Sequence, residues 1–293
     1  MSLEPSTMPD SPPIKKGLNF KLFFLSGLLL LLPTWYAFHY LSPVGNMPDD
    51  ASGQGASVDR LIFSVHALMG MLFVGWIGYF FYVLFRYHKS RNPVADYKGV
   101  TSHASTYLEG VVALIEAALL IGLAIPIWAH AVDQFPNAKD ATVIKVIAQQ
   151  FQWNGWYPGP DGVFARQDRK LVSGDNPFGL EKSDPHYKQN FIVAKDLVVP
   201  VNKPVLVYIS SLDVIHCFAC RPMRVTQDAI PGMVIPAHFT PRKTGTYMIN
   251  CAQLCGAAHY TMRGTLKVVS AGDYQKWVAS KSSAGAGAGA GYE

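Results

Sequence analysis

The chain has 293 residues, of which 49 % are hydrophobic and only 15 % charged, with a formal net charge of +5 at pH 7. That balance is too apolar for an ordinary soluble domain, and no Gly-rich phosphate loop or Lys/Arg run with interleaved aromatics points to nucleic acid. The only cysteines, Cys217, Cys220, Cys251 and Cys255, form two close pairs, a spacing that suits metal or redox chemistry better than a disulfide framework.

In chain order, residues 1–21 carry Lys15, Lys16 and Lys21 and read as a cytoplasmic N-terminal segment. The apolar run at 22–38 is a first membrane span or signal anchor. A basic region before a short apolar stretch also suits a cleaved leader, but no small-x-small site follows it. Two further runs fall within 61–132, each near the ~20 residues needed to cross ~30 Å of hydrocarbon, so 61–132 reads as a two-helix transmembrane hairpin. Helices are the form expected, because lipid offers no partner for unpaired backbone groups.

Orientation follows from the basic residues. Arg86, His88, Lys89, Arg91 and Lys98 fill the loop inside the hairpin, whereas Asp49, Asp50 and Asp59 precede it with Arg60 the only cation. The positive-inside rule therefore puts the N-terminus and that loop in the cytoplasm. A multi-pass protein of the bacterial cytoplasmic membrane, with its head in the periplasm, is expected.

The head, residues 136–272, reads as all β. Runs at 142–153, 191–199, 203–210 and 264–269 are rich in Val, Ile and aromatics and are bounded by Pro, Gly and Asn. Strands without amphipathic helices between them suggest a sandwich or small barrel. The Pro/Gly/Asp-rich stretch at 157–190 is too long for a hairpin turn and reads as a surface excursion. Residues 273–293 read as an Ala/Gly-rich tail.

The chemistry is concentrated between Cys251 and Met262, where Cys251, Cys255, His259 and Met262 stand at spacings of four, four and three. Thiolate, thioether and imidazole together select soft metals. Zinc sites use Cys, His and carboxylate rather than Met, so the thioether favours copper. Two thiolates can each bridge a pair of coppers, and a further imidazole, His216, stands upstream, far enough for a strand pair to return it to the loop.

Here the sequence resembles subunit II of cytochrome c oxidase, the haem–copper oxidase subunit with a dinuclear CuA centre. The likeness rests on Asp213 and His216, on the Gln-Asp-Ala-Ile-Pro-Gly stretch at 227–232, on the whole loop from 251 to 262, and on the preceding spans. It implies a cupredoxin-like Greek-key sandwich behind two or three membrane helices. It also implies that Cys251 and Cys255 bridge both coppers, that His216 and Met262 complete one, and that His259 and the backbone carbonyl of Gln253 complete the other. The family usually has glutamate at the position of Gln253, where its side chain helps to bind magnesium. That departure puts a magnesium site in question while leaving the copper-binding carbonyl intact.

The resemblance further implies a subunit of an oxidoreductase whose haems and CuB lie on a partner, subunit I. The copper would accept electrons from a periplasmic cytochrome c-type donor and pass them on for O2 reduction coupled to proton pumping. The copper subunit of a nitric oxide reductase, or a membrane-anchored copper-delivery or electron-carrier protein, remains an alternative. In the family a tryptophan above the copper receives the electron. By register Phe151 takes its place, with Trp153 and Trp156 nearby as the indole candidates. Glu109 resembles the family's glutamate at the mouth of a proton channel. Glu116, two turns deeper, stands where the family often has proline, and His66 reads as an interface hydrogen-bonding residue.

Cys217 and Cys220 are a departure with two readings, a second metal or copper-loading site or a pair of small buried thiols. Residues 136–272 hold 15 Lys+Arg against 9 Asp+Glu, a balance of +6. That excess points to an acidic or neutral donor, or to a cytochrome held in a supercomplex.

Overall fold

The computed structural model describes residues 47–94, 97–98 and 102–284. The basic N-terminal segment, the expected span at 22–38 and the last part of the tail lie outside them.

Helix α1, Gly55–Arg86, begins before the expected 61, and α2 runs over Ala104–Val132. Both are long and apolar enough to cross a membrane. Helix α2 contains a π turn at Leu120–Ala124, immediately before Pro126. A proline inside a helix has no N–H to donate and crowds the carbonyl four residues back. The widened turn lets α2 continue past it.

Ten strands follow: β1 Thr142–Gln149, β2 Gln152–Tyr157, β3 Phe191–Ala194, β4 Asp196–Pro200, β5 Val205–Ser211, β6 His216–Cys220, β7 Val225–Ala229, β8 Ile235–Phe239, β9 Gly245–Cys251 and β10 Arg263–Val269. They form two five-stranded sheets, ordered β3-β2-β1-β5-β8 and β4-β10-β9-β6-β7. The β1–β5 and β4–β10 pairs are parallel and the rest antiparallel. Because the chain crosses repeatedly from one sheet to the other, this is the Greek-key sandwich expected.

The core follows from the period of two in the strands. β10 alternates buried and open residues along its length, sending Leu266 and Val268 inward. Trp153, Tyr157, Phe218, Phe239, Ile144, Leu197, Ile209 and Ile249 fill the space between the sheets. The Tyr157 hydroxyl donates to the Val198 carbonyl at 3.0 Å and accepts from the Val198 N–H at 2.8 Å, joining β2 to β4 across that core.

Three features lie outside the sequence reading. The excursion after β2 is not loose: Phe178, Leu180, Ala165, Ile192, Ile147 and Trp156 form a second small core under it. Fully buried Asn190 organises this roof, accepting from Trp156 Nε1 and Ala165 N and donating to the carbonyls of Val163 and His186.

Second, the domain does not end at 272. Helix α3, Ala271–Ala284, is capped by Ser270, whose Oγ accepts from Asp273 N at 3.1 Å. It buries Tyr274 and Val278, and Trp277 sets its ring edge-on to Tyr157 and Phe191 at 5.0 and 5.3 Å. The tail boundary at 273 is thereby corrected. Composition drew attention to Ala and Gly, whereas the Tyr-x2-Trp-Val spacing is one apolar face of a helix.

Third, residues 48–59 strap onto the head. Ala51 N donates to Pro222 O, Arg242 N to Ala51 O and Gly53 N to Thr240 O, at 3.0, 2.7 and 2.8 Å. Arg224 grips both Asp59 oxygens at 2.7 and 2.8 Å, the bidentate geometry of the strongest ion pairs.

Candidate metal centre

The donor residues gather because of strand order. β9 runs antiparallel to both β6 and β10, with Cys251 opposite Phe218 and Asn250 opposite Arg263. The end of β9, which carries Cys251, therefore meets the starts of β6, which carries His216, and of β10, which follows Met262 directly. A short 3-10 turn, His259–Thr261, closes the loop between them. The long sequence separation of His216 vanishes at one edge of one sheet.

The distances are those of a cluster. Cys251 Sγ lies 3.8 Å from Cys255 Sγ and 3.9 Å from His216 Nδ1. Cys255 Sγ lies 3.4 Å from His259 Nδ1 and 3.8 Å from Met262 Sδ. The Gln253 carbonyl oxygen stands 3.1 Å from Cys251 Sγ. One ligand atom from each of His216, Cys251 and Cys255 falls within 4.8 Å of the others.

Both cysteines are free thiols. Burial and the neighbouring Cys251 push the Cys255 thiol up to about 11. Such a pair is deprotonated by a bound cation more readily than by pH. Sulfur and imidazole donors with no carboxylate among them fit copper and do not fit a hard cation.

A second layer fixes the first. His216 is fully buried, with Nε2 bonded to Asp213 Oδ1 at 2.8 Å, which leaves Nδ1 facing the sulfurs. Anchoring of the remote ring nitrogen is how metal-binding imidazoles are oriented. Asp213 also accepts from Gln150 N at 2.6 Å and Val214 N at 2.7 Å. Against the cost of its own burial, these bonds, led by His216, hold its carboxyl below the usual range. Gln150 Nε2 donates to the Cys255 carbonyl at 2.6 Å, so the turn between β1 and β2 staples both ligand loops. Gly256, at φ +135°, sits where any Cβ would meet Gln150 Nε2 at 2.7 Å and the Phe151 ring at 3.2 Å. Only glycine lets that turn close.

The indoles expected to receive electrons are placed differently from the expectation. Trp153 and Trp156 are both 0 % exposed, so neither offers an edge to an external donor. β2 accounts for this. Trp153 and Tyr157 face the sandwich, and Trp156, on the opposite face, is roofed by the excursion. Trp153 lies edge-on to the His216 ring at 6.2 Å, beneath the site. Half-buried Phe151, ahead of β2, is the aromatic ring that touches the ligand loop.

Cys217 and Cys220 lie on β6 with an odd separation, so they point to opposite faces and do not chelate one ion together. Both are buried, and burial, joined at Cys217 by Asp228, pushes each thiol up to about 12. They fit the reading as small buried thiols. Glu109 and Glu116 lie on α2, seven residues apart and so on one side of the helix, both exposed in the single chain. His66 is an exposed residue of α1.

Residues 142–269 match the family model described as cytochrome c oxidase subunit II, periplasmic domain. Over 257 residues the chain is 33 % identical to the alternative cytochrome c oxidase subunit 2 of Bradyrhizobium diazoefficiens, covering 86 % of this chain and 89 % of that one. The chain belongs to the cytochrome c oxidase subunit 2 family. A second subunit 2, from Cereibacter sphaeroides, is 30 % identical over 207 residues, 67 % of each chain. Among solved structures, the periplasmic domain of subunit II of cytochrome oxidase from Bradyrhizobium japonicum is 30 % identical, covering 50 % of this chain and 95 % of its own, with a TM-score of 0.37. Membership makes this subunit 2 a component of an oxidoreductase complex, with electron transport as its family role.

Proposed function

We propose that this subunit 2 is the electron-receiving chain of a haem–copper oxidase. It takes electrons from a periplasmic cytochrome c-type donor at a dinuclear copper and hands them to haem-bearing subunit I, where haems and CuB reduce O2. The observation that carries the proposal is the convergence of Cys251, Cys255, His216, His259, Met262 and the Gln253 carbonyl on one spot. When bound, the copper pair supplies one-electron redox chemistry with the charge shared between both ions.

The protein's own contribution is placement. Asp213 and Gln150 hold the two ligand loops at fixed separation, and the sandwich beneath them is closely filled. Such a scaffold resists change in donor positions when the charge changes. Helices α1 and α2 would cross the cytoplasmic membrane with Arg86, Lys89 and Arg91 inside and the sandwich in the periplasm. Glu109 and Glu116, costly on a lipid-facing surface, would face subunit I, with Glu109 at the mouth of a proton path.

The test is the electron paramagnetic resonance spectrum of the partly oxidised, copper-loaded chain. Two equivalent copper nuclei sharing one electron give seven hyperfine lines; four lines would mean an isolated copper and sink the proposal. Asp213→Ala is expected to weaken copper binding by about 10–100-fold through loss of the His216 anchor. Competition with a chelator measures this, and circular dichroism is expected to show the sandwich intact. Unchanged affinity would remove Asp213 from the role assigned to it.

A further inference from the structure

Resting on the electron-transfer reading above, we propose that the copper-loop face docks an acidic electron-carrier protein, through an apolar centre flanked by Lys195 and Arg263. The centre is made by the ligand loops themselves. Leu254 and Tyr260 are 77 % and 78 % exposed, and Val214 and Ile215, just ahead of His216, are 38 % and 46 % exposed. The Phe151 ring lies against Gly256 between those loops. Apolar side chains with a polar rim are the anatomy of a docking site, since water must leave the middle of an interface.

The rim is cationic. Arg263 follows Met262 directly and is exposed. Lys195 is held beside Trp153 and β10, its N–H donating to the Trp153 carbonyl and its carbonyl accepting from Thr265 N, both at 2.8 Å. Its backbone is left-handed, φ 68°, a conformation that favours glycine or asparagine, so a long cationic side chain is kept there at a backbone cost. Among the described residues neither cation has a carboxylate within ion-pair distance.

The neighbouring carboxylates are engaged. Asp213 binds His216, Gln150 N and Val214 N, while Asp196 binds Lys267 Nζ at 2.6 Å and Thr265 Oγ1 at 2.7 Å. Charge is also segregated along the chain. The excursion, 158–190, holds 5 Lys+Arg and 5 Asp+Glu, whereas the rest of 136–272 holds 10 Lys+Arg and 4 Asp+Glu. The head's cationic excess therefore lies outside the excursion, on the sandwich that carries the ligand loops. Such a face steers an anionic partner inward and repels a strongly basic one.

The test uses the assembled, detergent-solubilised oxidase containing this chain and two c-type cytochromes as donors, one acidic and one strongly basic. Oxidation is followed from low to high ionic strength. The acidic donor is expected to have the higher kcat/KM at low salt, falling about tenfold or more as charges are screened. Lys195→Glu and Arg263→Glu, with the copper spectrum unchanged, are each expected to lower kcat/KM for the acidic donor several-fold, leave kcat in place, and raise kcat/KM for the basic one. A basic donor that is faster at low salt, or reversals that change neither donor, would overturn the proposal. A small uncharged reductant that needs no docking separates the two levels. If it drives O2 consumption while the charge pattern fails, only the donor's polarity is wrong. If it too fails to reduce the site, the electron-transfer reading falls, and the docking proposal with it.

Discussion

Cys255→Ser is expected to abolish electron transfer through this chain, lowering donor oxidation more than about 100-fold with loss of bound copper. A serine hydroxyl stays protonated near neutral pH and is a hard donor, so it replaces neither the charge nor the softness of a thiolate. The position is central: Cys255 Sγ lies within 4 Å of Cys251 Sγ, His259 Nδ1 and Met262 Sδ. Cys220→Ala is the matched control. Its thiol is buried in the core on β6, so that change is expected to cost about 1–2 kcal/mol of stability while copper content and transfer rate persist. Rapid-mixing reduction kinetics with metal analysis reads both. Retained copper and rate in Cys255→Ser would show that the thiol is no ligand.

Truncation after residue 270 is expected to destabilise the sandwich by about 3–5 kcal/mol, the range for deleting a large aromatic from a core. For a domain of this size that corresponds to a melting temperature lower by roughly 10 °C. The loss removes Trp277 from the stacked Tyr157–Phe191 pair and uncovers the region around Val198 that the Tyr157 hydroxyl grips. Trp277→Ala alone is expected to reproduce a large part of it. Calorimetry of the chain decides, and an unchanged melting temperature would make α3 an appendage.

The parts legible in the sequence were those whose signal is local. Cys251 through Met262 lie in one stretch, and thiolate, imidazole and thioether name a soft metal before any fold is known. Strand identity followed from β-branched runs, and both apolar helices from length. The parts not legible depend on long-range contacts. That Trp153 and Trp156 are buried depends on which face of β2 is roofed, a fact held by Asn190 and Phe178 far along the chain. The grip of Arg224 on Asp59 spans 165 positions and leaves no periodic trace. Helix α3 did leave one, a Ser-x2-Asp cap ahead of Tyr274, Trp277 and Val278, overshadowed by the Ala/Gly repeat that follows.

The strap at 48–59 has a consequence for rate as well as for stability. Tunnelling falls exponentially with the gap between donor and acceptor, so a swinging copper domain would average over mostly slow geometries. Main-chain bonds from Ala51, Gly53 and Arg242, with the doubly held Asp59 in the first turns of α1, deny the head that swing. In the proposed complex the sandwich is a bracket fixed to its own membrane helix, and it keeps the copper at constant height above subunit I.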